Sequence, residues 1–227
     1  MHQKTKTGEN RIKIKNKHYV SSPGEGIDKY KNMLYAGGLE HGAKRADEVI
    51  ILGDGASWIS KFKEEYFPGA VQILDWYHAV EHLWTTAHEI FGEDNIKKCE
   101  EWVKPLKTLL WDGKVDTVID IITKEALSRK KNQTPFFELR TYYLNNRNHM
   151  KYHEFRSKGY NIGSGAIESA NKYIVAQRLK LSGMKWTISH ANAIIHLRCK
   201  YYEGSWDTFW ENGPVEDPQK AFAPAYA

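Results

Sequence analysis

A chain of 227 residues with 41% hydrophobic content has enough apolar mass for one large domain or two small ones around a real core. No apolar run approaches the roughly 18 residues of a membrane span, which excludes an integral helical membrane protein. The two cysteines, Cys99 and Cys199, stand alone in the sequence, which excludes a disulfide framework and a cysteine-rich zinc site. The start, Met1 to Asn16, is polar and charged where a signal peptide needs an apolar stretch, so a cytoplasmic location is expected.

The distribution of charge says more than the net value of +5. Residues 1–18 hold six Lys/Arg against Glu9 alone, leaving 27 basic and 27 acidic residues in the remainder. From Ser169 to Tyr202 the chain carries Lys172, Arg178, Lys180, Lys185, Arg198 and Lys200 and no Asp or Glu, whereas the tail from Glu203 is acidic. Such a stripe suits a phosphate backbone, and it suits an ordinary solvated helix face equally well.

In chain order, alternating Ile12 and Ile14 predict a strand over Arg11–Lys15, and a second short strand is expected over His18–Ser21. A helix over Asp28–Gly42 follows, then the strand Val49–Leu52, a helix over Ser57–Tyr66 stopped by Pro68-Gly69, and the strand Val71–Leu74. Strand, helix and strand in alternation imply a parallel α/β core with right-handed crossovers. From about Ala79 to Arg156 long amphipathic helices take over, with Trp84, Trp102, Leu106, Leu109, Leu110, Val118, Ile121 and Leu139 as core candidates. After a glycine loop come a helix around Glu168, another over Ile188–Tyr202, and a Pro- and Ala-rich end expected to be loosely ordered. The expected divisions are therefore a core over 1–78, a helical insertion over 79–157, core helices over 158–202 and a tail over 203–227.

Three places could carry chemistry. Gly163-Ser164-Gly165-Ala166-Ile167-Glu168 drops a carboxylate into the first turn of a helix behind a permissive loop, a presentation that suits a metal ion. It equally suits an ordinary helix start in which Glu168 reaches back to an orphan N–H. Gly53-Asp54-Gly55 ends a strand at the sheet edge where open parallel sheets place ligands, so Asp54 could hold a hard cation or simply close the turn. Asp75-Trp76-Tyr77-His78 ends the neighbouring strand on the same edge. There His78-Ala79-Val80-Glu81-His82 also fits the H-x-x-E-H pattern of zinc peptidases, a five-residue match that recurs by chance.

Taken together these pieces resemble a known family. Gly53-Asp54-Gly55-Ala56-x-Trp58-Ile59, the run from Pro68-Gly69-Ala70 through Asp75-Trp76-Tyr77-His78 to Trp84, Asn145-Asn146-Arg147-x-x-Met150-x-Tyr152, Ile162-Gly163-Ser164-Gly165-x-Ile167-Glu168-Ser169-Ala170-Asn171-Lys172 and Gly183-Met184-x-Trp186 look like the ISKra-type insertion-sequence transposases. The likeness runs from about His18 to Trp210, with the five blocks in order. It implies a DDE-type catalytic region with an RNase H-like α/β core interrupted by an all-helical insertion, in which carboxylates hold Mg²⁺ or Mn²⁺ for DNA strand cleavage and transfer. By that resemblance Asp54 would be the second catalytic, metal-binding acid and Glu168 the third. Asp75 and His78 would shape the site without binding metal, and Lys172, Arg178, Lys180 and Lys185 would follow the phosphates of the transposon end. Trp186 would stack on an unpaired base or else pack in the core. The partners implied are terminal inverted repeats and target DNA, with homo-oligomers formed by the full-length protein.

The chain departs from that pattern at its beginning, where the first strand and its catalytic Asp are not found. Asp28 and Asp47 are the only aspartates before Asp54, and both stand in helical or loop surroundings. The expectation is a C-terminal portion of a transposase, truncated and inactive in strand transfer. The alternatives are a non-catalytic DNA-binding remnant and, on the His78–His82 pattern alone, a zinc peptidase.

Overall fold

The computed structural model of the chain describes residues 3–4, 10–11, 14–21, 24 and 26–211. They fall into two compact units, one formed by Met1–Asp47 with Gly165–Ala227 and the other by Glu48–Ser164.

The first segment of the discontinuous unit pairs β1, Gln3–Lys4, antiparallel with β2, Asn10–Arg11. Helix α1, Ile27–Glu40, follows, closed by a 3₁₀ turn at Ala43–Arg45. Of the strand expected over Arg11–Lys15, Arg11 is in a ladder, Ile12 and Lys13 lie outside the described residues, and Ile14 is exposed and, among the described residues, pairs with no strand. The strand expected over His18–Ser21 is absent as well. That segment lies against α1 instead, with His18 and Val20 so near Gly37 that a Cβ there would come within 3.1 Å of the imidazole.

The continuous unit begins with a strand–helix–strand crossover: β3, Ile50–Gly53, α2, Ser57–Tyr66, and β4, Val71–Leu74. The strands pair in parallel, Ile50 opposite Val71 through Gly53 opposite Leu74. Five helices follow: α3, Trp76–Phe91; α4, Ile96–Trp111; α5, Val115–Ser128; α6, Thr134–Asn146; and α7, Tyr152–Ser157. Their apolar faces recur at helical spacing, as at Ala79, Leu83 and Ala87 on α3 and at Val118, Ile122 and Ala126 on α5. These faces enclose one core that reaches from Ile73 and Leu74 to Tyr143, Met150 and Tyr152. Leu106, Leu110, Val118 and Leu139 are buried as the periodicity predicts, and Trp84, Trp102, Leu109 and Ile121 pack on their rim. The α5–α6 corner is tied by Gln133, whose Nε2 donates to the carbonyls of Ala126 and Arg129 at the end of α5.

The second segment of the discontinuous unit opens with α8, Gly165–Asn171, which runs through a π-helical turn, Lys172–Ala176, into α9, Gln177–Leu179. Then come α10, Ile188–Glu203, capped by the Thr187 hydroxyl, and α11, Trp206–Glu211. Ile174, Ile195 and Cys199 form its small core, while both cysteines of the chain are buried and free. The expected tail lies beyond the described residues from position 212 onward.

These elements overturn the expectation of an RNase H-like α/β core. The fold is mostly helical, and among the described residues β3–β4 is the single parallel pair, with no third strand on either edge. The segments read as outer strands have too little apolar surface to support a ladder. The helices read as an insertion instead supply most of the buried core.

Candidate functional site

Parallel strands end on one edge, so β3 and β4 deliver Gly53-Asp54-Gly55 and Asp75 side by side, with the Asp75 N–H donating to the Gly53 carbonyl at 2.7 Å. Asp75 is 3% exposed and caps α3. One of its carboxylate oxygens accepts the His78 N–H at 2.9 Å and the other accepts the Ser164 N–H at 2.5 Å. The Trp76 N–H donates in turn to the Ile162 carbonyl at 2.9 Å. One backbone bond and one bond to the Asp75 carboxylate thus clamp the glycine loop to the β4–α3 junction. Gly163 is required at the clamp, because a Cβ there would meet the Tyr77 ring at 2.7 Å.

Asp54 is exposed. Its Oδ1 accepts the Ala56 N–H at 3.0 Å, an Asx turn that realises the turn-closing role weighed for it. A carboxylate oxygen accepts more than one bond, so the turn leaves Asp54 able to ligate a hard cation. The turn needs Gly55 on two counts: its φ is +86°, and a Cβ would fall 2.9 Å from Leu74 and 3.0 Å from the Asn146 amide.

Tyr142 on α6 completes the edge. Its hydroxyl donates to the Asp54 carbonyl at 2.9 Å and its ring lies against His82 at 3.9 Å. Burial, reinforced by the negative field of Asp54, Asp75 and Glu81, pushes that hydroxyl far above the ordinary tyrosine value and keeps it a donor. His78 and His82 meet edge to face, with His78 Nδ1 3.2 Å from the Glu81 carboxylate. Burial and the adjacent His78 lower the His82 pKa, Glu81 opposing them. The H-x-x-E-H side chains therefore spend themselves on one another and on Tyr142. Among the described residues, the one group of three His, Cys, Asp or Glu side chains with ligand atoms within 4.8 Å of one another lies elsewhere, at His18, Glu40 and His41. There the two imidazoles stack face to face at 4.2 Å, and both in-plane lone pairs cannot meet one ion unless a ring turns.

The other expected residues lie in the discontinuous unit. Glu168 sits in the first turn of α8 and is exposed. Lys172, Arg178, Lys180 and Lys185 are exposed and form no ion pair with a described residue. Trp186 is half-buried outside the Ile174 cluster, with the Arg178 guanidinium 5.4 Å above its ring. Arg198, the fifth cation of the stripe, is spent internally: its guanidinium donates to the carbonyls of Tyr173 and Ile174 within the π-helical turn. A π turn widens the helical register and leaves carbonyls in need of outside donors, which is what this side chain supplies. Neither that clamp nor the role of Tyr142 carries a sequence signal, because both depend on partners 24 or more positions away.

Comparison with known proteins gives no matching family model, no match among curated proteins and none among solved structures.

Proposed function

We propose that this chain acts on DNA as part of an insertion-sequence transposase of the ISKra type, with Asp54 and Glu168 as the acids through which a divalent metal works. One observation carries the reading. Several of the residues behind the resemblance, scattered over a hundred positions, make contacts with one another within the continuous unit: Gly53 bonds to Asp75, Gly55 packs on Asn146, Trp76 meets Tyr152 edge to face at 5.0 Å, and Asp75 holds Ser164.

Each acid, taken by itself, suits a hard cation. Asp54 is an exposed carboxylate at the C-terminal edge of a parallel pair, and Glu168 is an exposed carboxylate at a helix start. Mg²⁺ or Mn²⁺ held by an acid of this kind would polarise a phosphodiester and stabilise its leaving oxygen. Asp75 has a different part, holding the loop that leads into α8. The exposed cations Lys172, Arg178, Lys180 and Lys185 supply the phosphate contacts.

A second reading, a DNA-holding chain without chemistry of its own, draws on Asp54 and Glu168 being two acids where the resemblance implies three, with Asp75 buried and holding backbone N–H groups instead. One experiment tests both. Duplex DNA carrying the inverted repeats that flank the coding sequence should bind with an affinity that falls steeply with salt, the log–log slope being about −3 to −4 if four cations meet phosphates. Glu168→Gln and Asp54→Asn should leave that binding intact. If both also abolish Mn²⁺-dependent nicking, the catalytic reading stands; equal nicking, or none in the parent chain, favours the second. Absence of DNA binding at 50 mM salt sinks both.

A further inference from the structure

The discontinuous unit contains a groove that none of the motif residues explains. Its volume is about 310 Å³, and it is lined by Arg178, Leu197, Arg198, Tyr201, Tyr202 and Trp206 among others. That is at the low end for small-molecule pockets, enough for a single nucleotide-sized group. Its walls are flat and unusually aromatic. Tyr201 and Trp206 meet at 6.0 Å with their rings 83° apart, and Tyr202 lies under the Arg198 guanidinium. Tyr201 is 62% exposed, so a large π surface faces solvent.

The charges around it are equally one-sided. Among the described residues, no carboxylate lines the groove. Arg198 is held rigid by its bonds to the π-helical turn and contributes a fixed positive wall. Arg178, also on the lining, is exposed, lies over the Trp186 ring and forms no ion pair with a described residue. Of the two acids that directly follow lining residues in the chain, Asp207 after Trp206 is exposed, while Glu203 after Tyr202 is engaged with other groups: Oε1 accepts from Lys200 and Ser205 at 2.7 Å, and Oε2 lies 2.9 Å from His18. Burial opposes its ionisation, but these partners hold its carboxyl below the ordinary glutamate range. An exposed aromatic wall beside two arginines, with no carboxylate among its described lining residues, fits a ligand that is both planar and anionic.

We propose that this groove takes one unpaired nucleotide of a DNA end, its base stacked on the exposed face of Tyr201 with Trp206 edge-on beside it and its phosphate on Arg178. The proposal rests on the DNA-processing reading above and names the form of DNA recognised: an end with a single-stranded extension rather than a blunt duplex. Stacking on an aromatic side chain is tolerant of base identity, so preference for an extension should not depend on its sequence.

The test compares two labelled duplexes in fluorescence anisotropy with the full chain, one blunt and one with a three-nucleotide extension. The expected result is roughly tenfold tighter binding of the extended form, the scale of one base stack. Tyr201→Ala, at an exposed position where folding is not at stake, should remove most of that preference while leaving blunt binding unchanged. Arg178→Gln should weaken both forms and make the salt slope shallower by about one. Equal affinity for the two duplexes in the parent chain overturns the inference but leaves the DNA reading standing; loss of all DNA binding overturns that reading instead. A preference that survives both Tyr201→Ala and Trp206→Leu also overturns it. So does a change in oligomeric state on Tyr201→Ala without any change in DNA binding, because the groove then seats protein.

Discussion

Replacing Asp75 with alanine should cost the continuous unit about 3 kcal/mol. The side chain performs two tasks, and the cost follows from both. As the cap of α3 it accepts the His78 N–H, a loss worth about 1 kcal/mol at a helix N-terminus. As the anchor of the glycine loop it accepts the Ser164 N–H, and a bond of a backbone donor to a charged acceptor contributes about 1.5–3 kcal/mol. With Asp75 only 3% exposed, little water is at hand to replace either bond. The shift amounts to roughly a hundredfold in the folded-to-unfolded ratio. Asp75→Asn keeps one acceptor oxygen and turns an amide N–H₂ towards the other donor, so about half the loss should remain. Urea unfolding measures the global effect, and amide hydrogen exchange at Ser164 and His78 locates it. A loss below about 0.5 kcal/mol with unchanged slope, or Ser164 exchanging as slowly in the variant as in the parent, would refute the clamp.

Gly55→Ala should destabilise the same unit by about 2–3 kcal/mol, since it combines the strain of a positive φ with a clash against Leu74 and Asn146; thermal unfolding of the purified variant checks it. His82 and His149 both have pKa values lowered chiefly by burial, with His78 and Lys63 respectively adding to the effect. The unfolded chain therefore takes up those protons first, and stability should fall as the pH drops below 6.5 towards the folded-state values. A denaturation series from pH 8 to pH 5 should show a flatter acid limb in the double variant His82→Gln/His149→Gln, and an equally steep limb would count against the assignment. Arg198→Lys, which loses the fork that serves two carbonyls, should speed amide exchange through the π-helical turn by roughly tenfold or more, whereas an unchanged exchange pattern would show that the turn does not need the guanidinium.

The sequence was most legible where local patterning and tertiary demand agree. Val71–Leu74 and Ser57–Tyr66 match their helix and strand boundaries, and the apolar periods of α4 and α5 pick out Leu106, Leu110 and Val118. It misled where a pattern of two alternating isoleucines stood for a whole sheet: Ile14 has no opposite face to bury against, and His18–Ser21 find their contacts on α1. At the site, the turn chemistry of Gly53-Asp54-Gly55 was readable from residue types alone, including the alternative in which Asp54 closes its own turn. Asp75 was expected to shape the site, but its means of doing so, a bond 89 positions down the chain, leaves no local trace. Tyr142 and Arg198 were invisible for the same reason, their roles being set by carbonyls brought near by folding.

The continuous unit interrupts the discontinuous one, and its own two ends are joined: the Tyr160 hydroxyl donates to the Glu48 carboxylate at 2.5 Å. This has a consequence for the order of assembly. Glu48–Ser164 leaves the ribosome as a finished stretch and can fold before the residues from Gly165 are made. The halves on either side of it would otherwise have to close a loop of roughly 120 residues. Once the intervening unit has folded and drawn its termini together, that span is effectively shortened to a few residues, about five halvings worth roughly 3 kcal/mol of chain entropy. Early folding of the interior segment therefore acts as a template for the split one, and a lesion such as Asp75→Ala should be felt as slower maturation of residues it never touches.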